Sequence, residues 1–392
     1  MEKSLKGINL QFLDKIDTYK INKKAEVIIK LTSAFWFITK IASYKLWISN
    51  RIFPLSPAFD FLENIPNFIH LSLFILFLTG ITLVFIFPNK KILFVGILLM
   101  EIFTCLLDQN RWQPYEYQFI LTFVFFLFYH KNKKQFLNYF AFLLLVIYLN
   151  SGLHKLNGSF LYTVWENMIL HRFFGFEHEL IKNSGLHYFG LLLGLIEVLA
   201  ALGLFFKQTQ KISAIALIGM HLFIIAMISP FGLNYNSIVW PWNILMILFL
   251  YVVFISNYPI KISFKKIIEG YNFVLFVLIG IMPFFCFLGI WDNFLSFNLY
   301  SGGTKYLEIC VENPKELKKI EVYKFKKGKF CDDKVAISVH DWSLKELNIT
   351  VYPERRILID VIKKWKKQNP NCKATFYIYS YPYKKENIET FQ

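Results

Sequence analysis

Nine stretches of this chain, at 27–48, 65–87, 91–107, 117–129, 136–153, 187–206, 211–228, 238–256 and 271–291, are too apolar to belong on a water-facing surface. Runs of about 18 apolar residues read as helices that cross a bilayer, because in hydrocarbon a helix satisfies its own backbone groups. The fourth stretch is short, and Lys30 and Lys40 interrupt the first, so hydropathy alone allows eight crossings or nine. With 55% hydrophobic and 19% aromatic residues, 44 of them Phe, a soluble chain of 392 residues would have nowhere to bury this surface. The expected fold class is an all-α polytopic membrane bundle of about nine transmembrane helices, followed by a small C-terminal α+β soluble domain. The expected parts are an N-terminal segment at 1–26, the transmembrane domain at 27–291 and the α+β domain at 292–392.

Charge decides between eight and nine. Six lysines precede the first stretch, and Lys90/Lys91, Lys131/Lys133/Lys134, Lys207/Lys211 and Lys261/Lys265/Lys266 fill every second connection after it. The intervening connections are poor in basic residues, with Arg51, Arg111 and a thin scatter of Lys155, Arg172 and Lys182. Short basic loops stay on the cytoplasmic side. The alternation places the N-terminus in the cytoplasm and, after nine crossings, the C-terminal domain outside a cell membrane. The net charge of +16 is then mostly topology-setting lysine that also attracts anionic lipid. No basic groove with interleaved aromatics points to nucleic acid. No cleavable signal peptide is evident, since the N-terminal segment is long and ends in a full span.

After Trp291 hydrophobic density collapses. Strand character is expected at 305–312, 319–325, 335–339 and 373–381, and an amphipathic helix at 354–369, where Ile357, Leu358, Val361, Ile362 and Trp365 share a face. Five cysteines are too few for a disulfide scaffold, and no CxxC occurs. Cys310, Cys331 and Cys372 leave room for one disulfide and one spare thiol.

Chemistry is expected from polar groups inside the apolar stretches, because hydrocarbon cannot satisfy them. Two cassettes stand out. One runs from Asp108 to Gln118 and contains Asn110, Trp112, Tyr115, Glu116 and Tyr117; the other runs from Asn150 to Asn157 and contains His154 and Lys155. A lysine in a dry site can serve as a base, whereas one near a span end can simply reach the interface. Glu197 lies mid-span and must pair with a cation or carry a proton, and Lys155 is the expected partner. Glu101 and Asp108, seven residues apart, share a face if the third helix continues that far. His221 starts deep in the seventh stretch, and Asn243 follows on the eighth. His171, Glu177, His178 and His187 have no metal-site spacing, and no metal is expected.

At the two cassettes the chain resembles the vitamin K-dependent gamma-carboxylase family and bacterial relatives that share its HTTM membrane domain. Asp108, Trp112 and Tyr117 stand where that family has Asp-x-x-x-Trp-x-x-x-x-Tyr, and Gly152, Lys155 and Leu156 where it has Gly-x-x-Lys-Leu. The resemblance covers roughly 25–300 and implies about nine spans, a cytoplasmic N-terminus and an external C-terminal domain. It also implies a quinone or hydroquinone cofactor, with Lys155 in the place of the base that deprotonates it. Glu197 and His221 would assist, and Asp108, Asn110, Trp112, Tyr115, Tyr117, His154 and Asn243 would line the binding site. One departure is marked: Tyr115 stands where the carboxylase has histidine, and a phenol cannot replace an imidazolium. The tail is also shorter than the carboxylase's lumenal region. Two other readings are a non-catalytic anchor whose tail docks an exported protein partner, and a quinone-linked redox protein of the DoxX kind. The alternation of basic loops makes one prediction by itself. A cysteine introduced just after Trp291 should react with a membrane-impermeant thiol reagent in intact cells, and protection from it would overturn the nine-span topology.

Overall fold

All nine apolar stretches are helical in the computed structural model, which describes residues 2–332 and 334–392. They form α1 (Glu2–Ala42), α2 (Asn67–Ile86), α3 (Lys91–Leu107), α4 (Pro114–Phe128), α5 (Lys133–Lys155), α6 (Leu186–Gly203), α7 (Gln210–Ile228), α8 (Val239–Ile255) and α9 (Asn272–Leu288). Among the described residues, four of these, α2, α5, α6 and α7, are long and apolar enough to cross a membrane. Helices α4, α8 and α9 are apolar but shorter. Length and composition thus support a membrane protein with at least these four candidate crossings. Helix α1 runs unbroken through the boundary expected at residue 26. Helix α9 changes winding at Val277 and again at Met282, just before Pro283, whose missing N–H cannot continue an α-helical ladder.

Burial sorts the four. In α5, 89% of the apolar window is buried, against 22% in α2, 28% in α6 and 33% in α7. Helix α5 is therefore the axle of the bundle. The others turn exposed leucine, isoleucine and phenylalanine outward, as lipid-facing helices do.

Six charged side chains form a cluster inside the bundle, and of these only Lys40 reads in the sequence as an interruption of an apolar stretch. Lys40 of α1 donates to Glu101 of α3 at 2.7 Å and lies 3.6 Å from Glu116 of α4, all three 1% exposed or less. Glu116 also accepts from the Trp36 indole at 2.5 Å. Helix α3 ends at Leu107, so Glu101 and Asp108 do not share a helical face; Asp108 is extended and caps the next turn. It pairs with Arg51 and accepts from the backbone N–H groups of Ser56 and Asn110, each at 3.1 Å. Arg111, fully buried, donates to the carbonyls of Leu46 and Thr104 and meets His70. Lys40 and Arg111 both approach the Trp47 ring, 2.8 and 5.4 Å from its centroid, which joins the two groups. Three cations face three carboxylates, so the cluster is neutral as a whole.

The C-terminal domain is a five-stranded antiparallel sheet in the order β2-β3-β1-β4-β5, with two helices. Its strands are β1 (Tyr306–Val311), β2 (Phe325–Lys327), β3 (Val335–Ser338), β4 (Ala374–Tyr379) and β5 (Glu389–Phe391), and its helices are α10 (Val339–Leu347) and α11 (Arg355–Gln368). The strand expected at 319–325 is instead a helical turn that begins after Lys319, whose φ of 53° no strand allows; strand geometry starts only at Phe325. Helix α10 and β5 are elements beyond those the sequence pattern predicts. A disulfide joins Cys310 to Cys331 and leaves Cys372 as the free thiol of the domain.

The domain is tied to the bundle through its backbone. The Glu346 carboxylate accepts from the N–H groups of Ile52 and Phe53 at 2.6 and 2.9 Å, and Tyr352 N–H donates to Asn110 at 3.1 Å. Gln113 reaches the Thr350 carbonyl at 3.1 Å, and Arg356 pairs with Asp292. Removing one member of a buried ion cluster strands its partners, which typically costs about 3–5 kcal/mol. Lys40→Met should therefore destabilise the detergent-solubilised protein by about that amount, and adding Glu101→Gln should restore part of the loss. Calorimetry or denaturant unfolding would check this; wild-type stability in the single variant would show that the cluster contributes nothing.

Candidate functional site

Side chains from four helices converge on a chamber of about 370 Å³ in the bundle interior. Tyr148, Ser151 and Lys155 stand on one face of α5, spaced i, i+3 and i+7. Glu197 comes from α6, His221 from α7 and Asn243 from α8. The remaining walls are apolar, among them Ala200, Leu217, Phe223 and Met246.

Helix α5 meets α6 at a glycine contact. A Cβ on Gly152 would lie 2.9 Å from the Val198 nitrogen and 3.0 Å from the Gly194 carbonyl oxygen, so neither backbone leaves room for a side chain. Small residues at such a contact let two membrane helices approach closely. The contact brings the Lys155 Nζ within 2.6 Å of Glu197 Oε2, with Ser151 Oγ as its second acceptor at 2.6 Å. Glu197 is 3% exposed at its side chain and Lys155 14%. A carboxylate so placed requires its cation, and three acceptors around Nζ, counting the Ser151 carbonyl at 3.4 Å, suit an ammonium.

A second polar chain faces this pair. Asn243 donates its amide to the Val239 carbonyl at 2.7 Å, which aims Oδ1 at His221 Nδ1, also at 2.7 Å. In this orientation Nδ1 carries the proton and Nε2 accepts, and the Tyr148 hydroxyl donates to it at 2.8 Å. The imidazole is therefore held in one tautomer, between an amide that fixes it and a phenol that borders the chamber.

Of the expected site residues, the chamber unites Lys155, Glu197, His221 and Asn243. It excludes the rest. Asp108 and Asn110 belong to the ion cluster and the domain tether, and Trp112 packs against Phe294, Tyr352 and Ile357. Tyr117 faces Phe297 with ring centroids 5.7 Å apart, and His154 turns away from the chamber to stack on Phe287 at 4.3 Å. Tyr115 borders a different cavity, described next. The sequence pattern does not single out Tyr148, because a tyrosine on an apolar helix face reads as core; its spacing from Ser151 and Lys155 is the one signal that marks it.

A larger cavity of about 720 Å³ lies between the bundle and the C-terminal domain. This vestibule shares Val164, Val239, Trp242, Leu299 and Tyr300 with the chamber, so the floor of one is the roof of the other. Tyr235, Tyr300 and Tyr306 line it, and burial holds their phenols above the usual tyrosine range, so they stay neutral. Away from the chamber, His178 and His187 bracket Glu166 at 3.1 and 2.9 Å. Set against family models, curated proteins and solved structures, the chain matches none.

The glycine contact sets the geometry of the ion pair, and that can be tested. Gly152→Ala must push α6 away from α5; overpacking of this kind costs about 1–3 kcal/mol. The variant should unfold earlier on heating and lose the Lys155–Glu197 contact, read as faster modification of Lys155 by an amine reagent. Unchanged modification would mean that the helices can separate without parting the pair.

Proposed function

We propose that this chain is an integral membrane protein whose chamber carries out acid/base chemistry on a lipid-soluble molecule with an ionisable hydroxyl, a hydroquinone being the class implied by its likeness to the gamma-carboxylase and HTTM proteins. The observation that carries this reading is the convergence of Lys155, Glu197, His221 and Asn243 on one chamber with otherwise apolar walls. On the side of α6 and α7 those walls include Ile196, 55% exposed, and the half-buried Leu193 and Phe223, so a lipophilic ligand has a short route in from the bilayer. The topology proposed with it has nine crossings, a cytoplasmic N-terminus and an external C-terminal domain, as the lysine alternation implies.

In the proposed reaction Lys155 and Glu197 act as one unit. A proton passes from the Lys155 ammonium to the Glu197 carboxylate, which leaves a neutral pair. The freed amine then takes the proton of the bound hydroxyl, and the resulting oxyanion lies beside a lysine that is again an ammonium. Tyr148, whose one hydroxyl proton is donated to His221, offers the bound hydroxyl its oxygen as an acceptor. Tyr115, on the vestibule side, takes no part in the transfer.

The test is optical. A short-chain naphthohydroquinone added without oxygen to the purified protein should show the absorbance of its mono-anion at a pH where it is neutral in buffer. Lys155→Ala should abolish that signal. Lys155→Arg should abolish it equally, because a guanidinium keeps its proton. A full signal in the Arg variant would make residue 155 a positive charge rather than a base, and no signal in the wild-type protein would remove hydroquinone as the ligand class.

A further inference from the structure

We infer that the vestibule is a binding site for the anionic head group of a membrane lipid, held beside the chamber. The inference extends the reading above, since it rests on the proposed orientation and names the class of molecule that meets the chamber's ligand.

Charge supports it first. Arg172, Lys305 and Lys329 line the vestibule against a single carboxylate, Asp341, and the buried phenols of Tyr235, Tyr300 and Tyr306 are neutral. Lys305 shares some of its charge with Glu389, 3.9 Å away, and the Lys329 ammonium lies 4.3 Å from the centroid of the Tyr383 ring and 3.5 Å from the Tyr381 hydroxyl, both residues of the cavity wall. A site walled by cations and phenols suits a phosphate or carboxylate set in a polar head.

The rim supplies the second argument. Arg172 lies near the end of a π-wound helical segment, Leu161–Phe173, next to Phe173 and Phe174. Both rings pack on Phe223 of α7, at 6.0 and 6.4 Å between centroids, and α7 is one of the helices apolar enough to cross a membrane. Phe174 and Phe176 are themselves exposed, at 51% and 37%. An arginine at a polar mouth with bare aromatic rings beside it is the arrangement of a membrane interface, where the head stays with the cation and the chain lies along the rings. A fully water-soluble anion would have no use for these rings.

The third argument is position. Trp242 and Tyr300 belong to the walls of both cavities, so a head group in the vestibule lies across a shared partition from the Lys155 chamber. A lipid from the outer leaflet and a hydroquinone from the bilayer would thus reach opposite sides of the same neck.

The test uses the full chain, solubilised from nanodiscs of equal phosphatidylcholine and phosphatidylglycerol, with retained lipid counted by native mass spectrometry. Phosphatidylglycerol should be retained in preference by about tenfold, the equivalent of ~1.4 kcal/mol. Arg172→Gln combined with Lys329→Gln should abolish the preference. A control variant, Lys131→Gln with Lys134→Gln, removes the same charge from another connection and should leave it intact. Equal retention of the two lipids by the wild type, or an unchanged preference in the vestibule variant, overturns the inference. So does displacement of the lipid by soluble glycerol 3-phosphate at micromolar concentration, which would make the ligand a soluble phosphate. The naphthohydroquinone absorbance, measured on the same vestibule variant, should persist; its loss in Lys155→Ala alone keeps failure of the chamber reading distinct from failure of this one.

Discussion

A neutral cluster of six buried ions holds this molecule in register. Lys40, Glu101 and Glu116 connect α1, α3 and α4, while Arg51, Asp108 and Arg111 fix the two connections that cap them. Each ion buried alone would be intolerable, and together they are tolerable only in one arrangement, because every displacement separates opposite charges in a medium that screens them poorly. The turn that carries Asp108 also carries Asn110, whose side chain receives the Tyr352 N–H. The same cluster that organises the first four helices therefore sets where the C-terminal domain sits, and hence the height of the vestibule roof.

The chamber is built on a different logic. Its lysine and glutamate form one isolated pair, its histidine and asparagine a chain of neutral hydrogen bonds, and the rest of its surface is hydrocarbon. The structural ions draw their partners from several elements, although one oxygen each of Glu101 and Glu116 accepts no hydrogen bond. The chamber pair has a cavity on one side in place of further partners, which is what separates a group available for chemistry from one committed to holding helices together.

Much of the bundle was legible because hydropathy is a property of each residue taken singly, and nine apolar stretches need no long-range knowledge to be seen. Partnership is another matter. Lys40 and Glu101 are 61 residues apart and Arg51 and Asp108 are 57 apart. In the sequence Lys40 looked like a flaw in a span and Asp108 like a ligand-binding group. Lys155 and Glu197 were matched because few charges lie that deep in the later helices, and each needs a counter-ion. In the C-terminal domain the amphipathic helix was readable from its single buried face, whereas β5 has three residues and leaves no periodicity to detect. The misplaced strand at 319–325 has β-branched and aromatic residues in sufficient number; one left-handed backbone angle at Lys319 outweighs them.

The burial of α5 on nearly every side bears on how the chain is made. A ribosome delivers α5 to the membrane before α6, α7 or α8 exists, and Glu197 follows Lys155 by 42 residues. During that interval the lysine, Tyr148 and Asn150 have none of the later helices that finally surround them. Lys155 is the last residue of its helix and can reach the interface while it waits; Asn150 already bonds the carbonyl of Val146, four residues back in its own helix. Lys155 and the Asn150 amide thus stand where a nascent chain can shelter them alone, whereas Tyr148 must wait for His221.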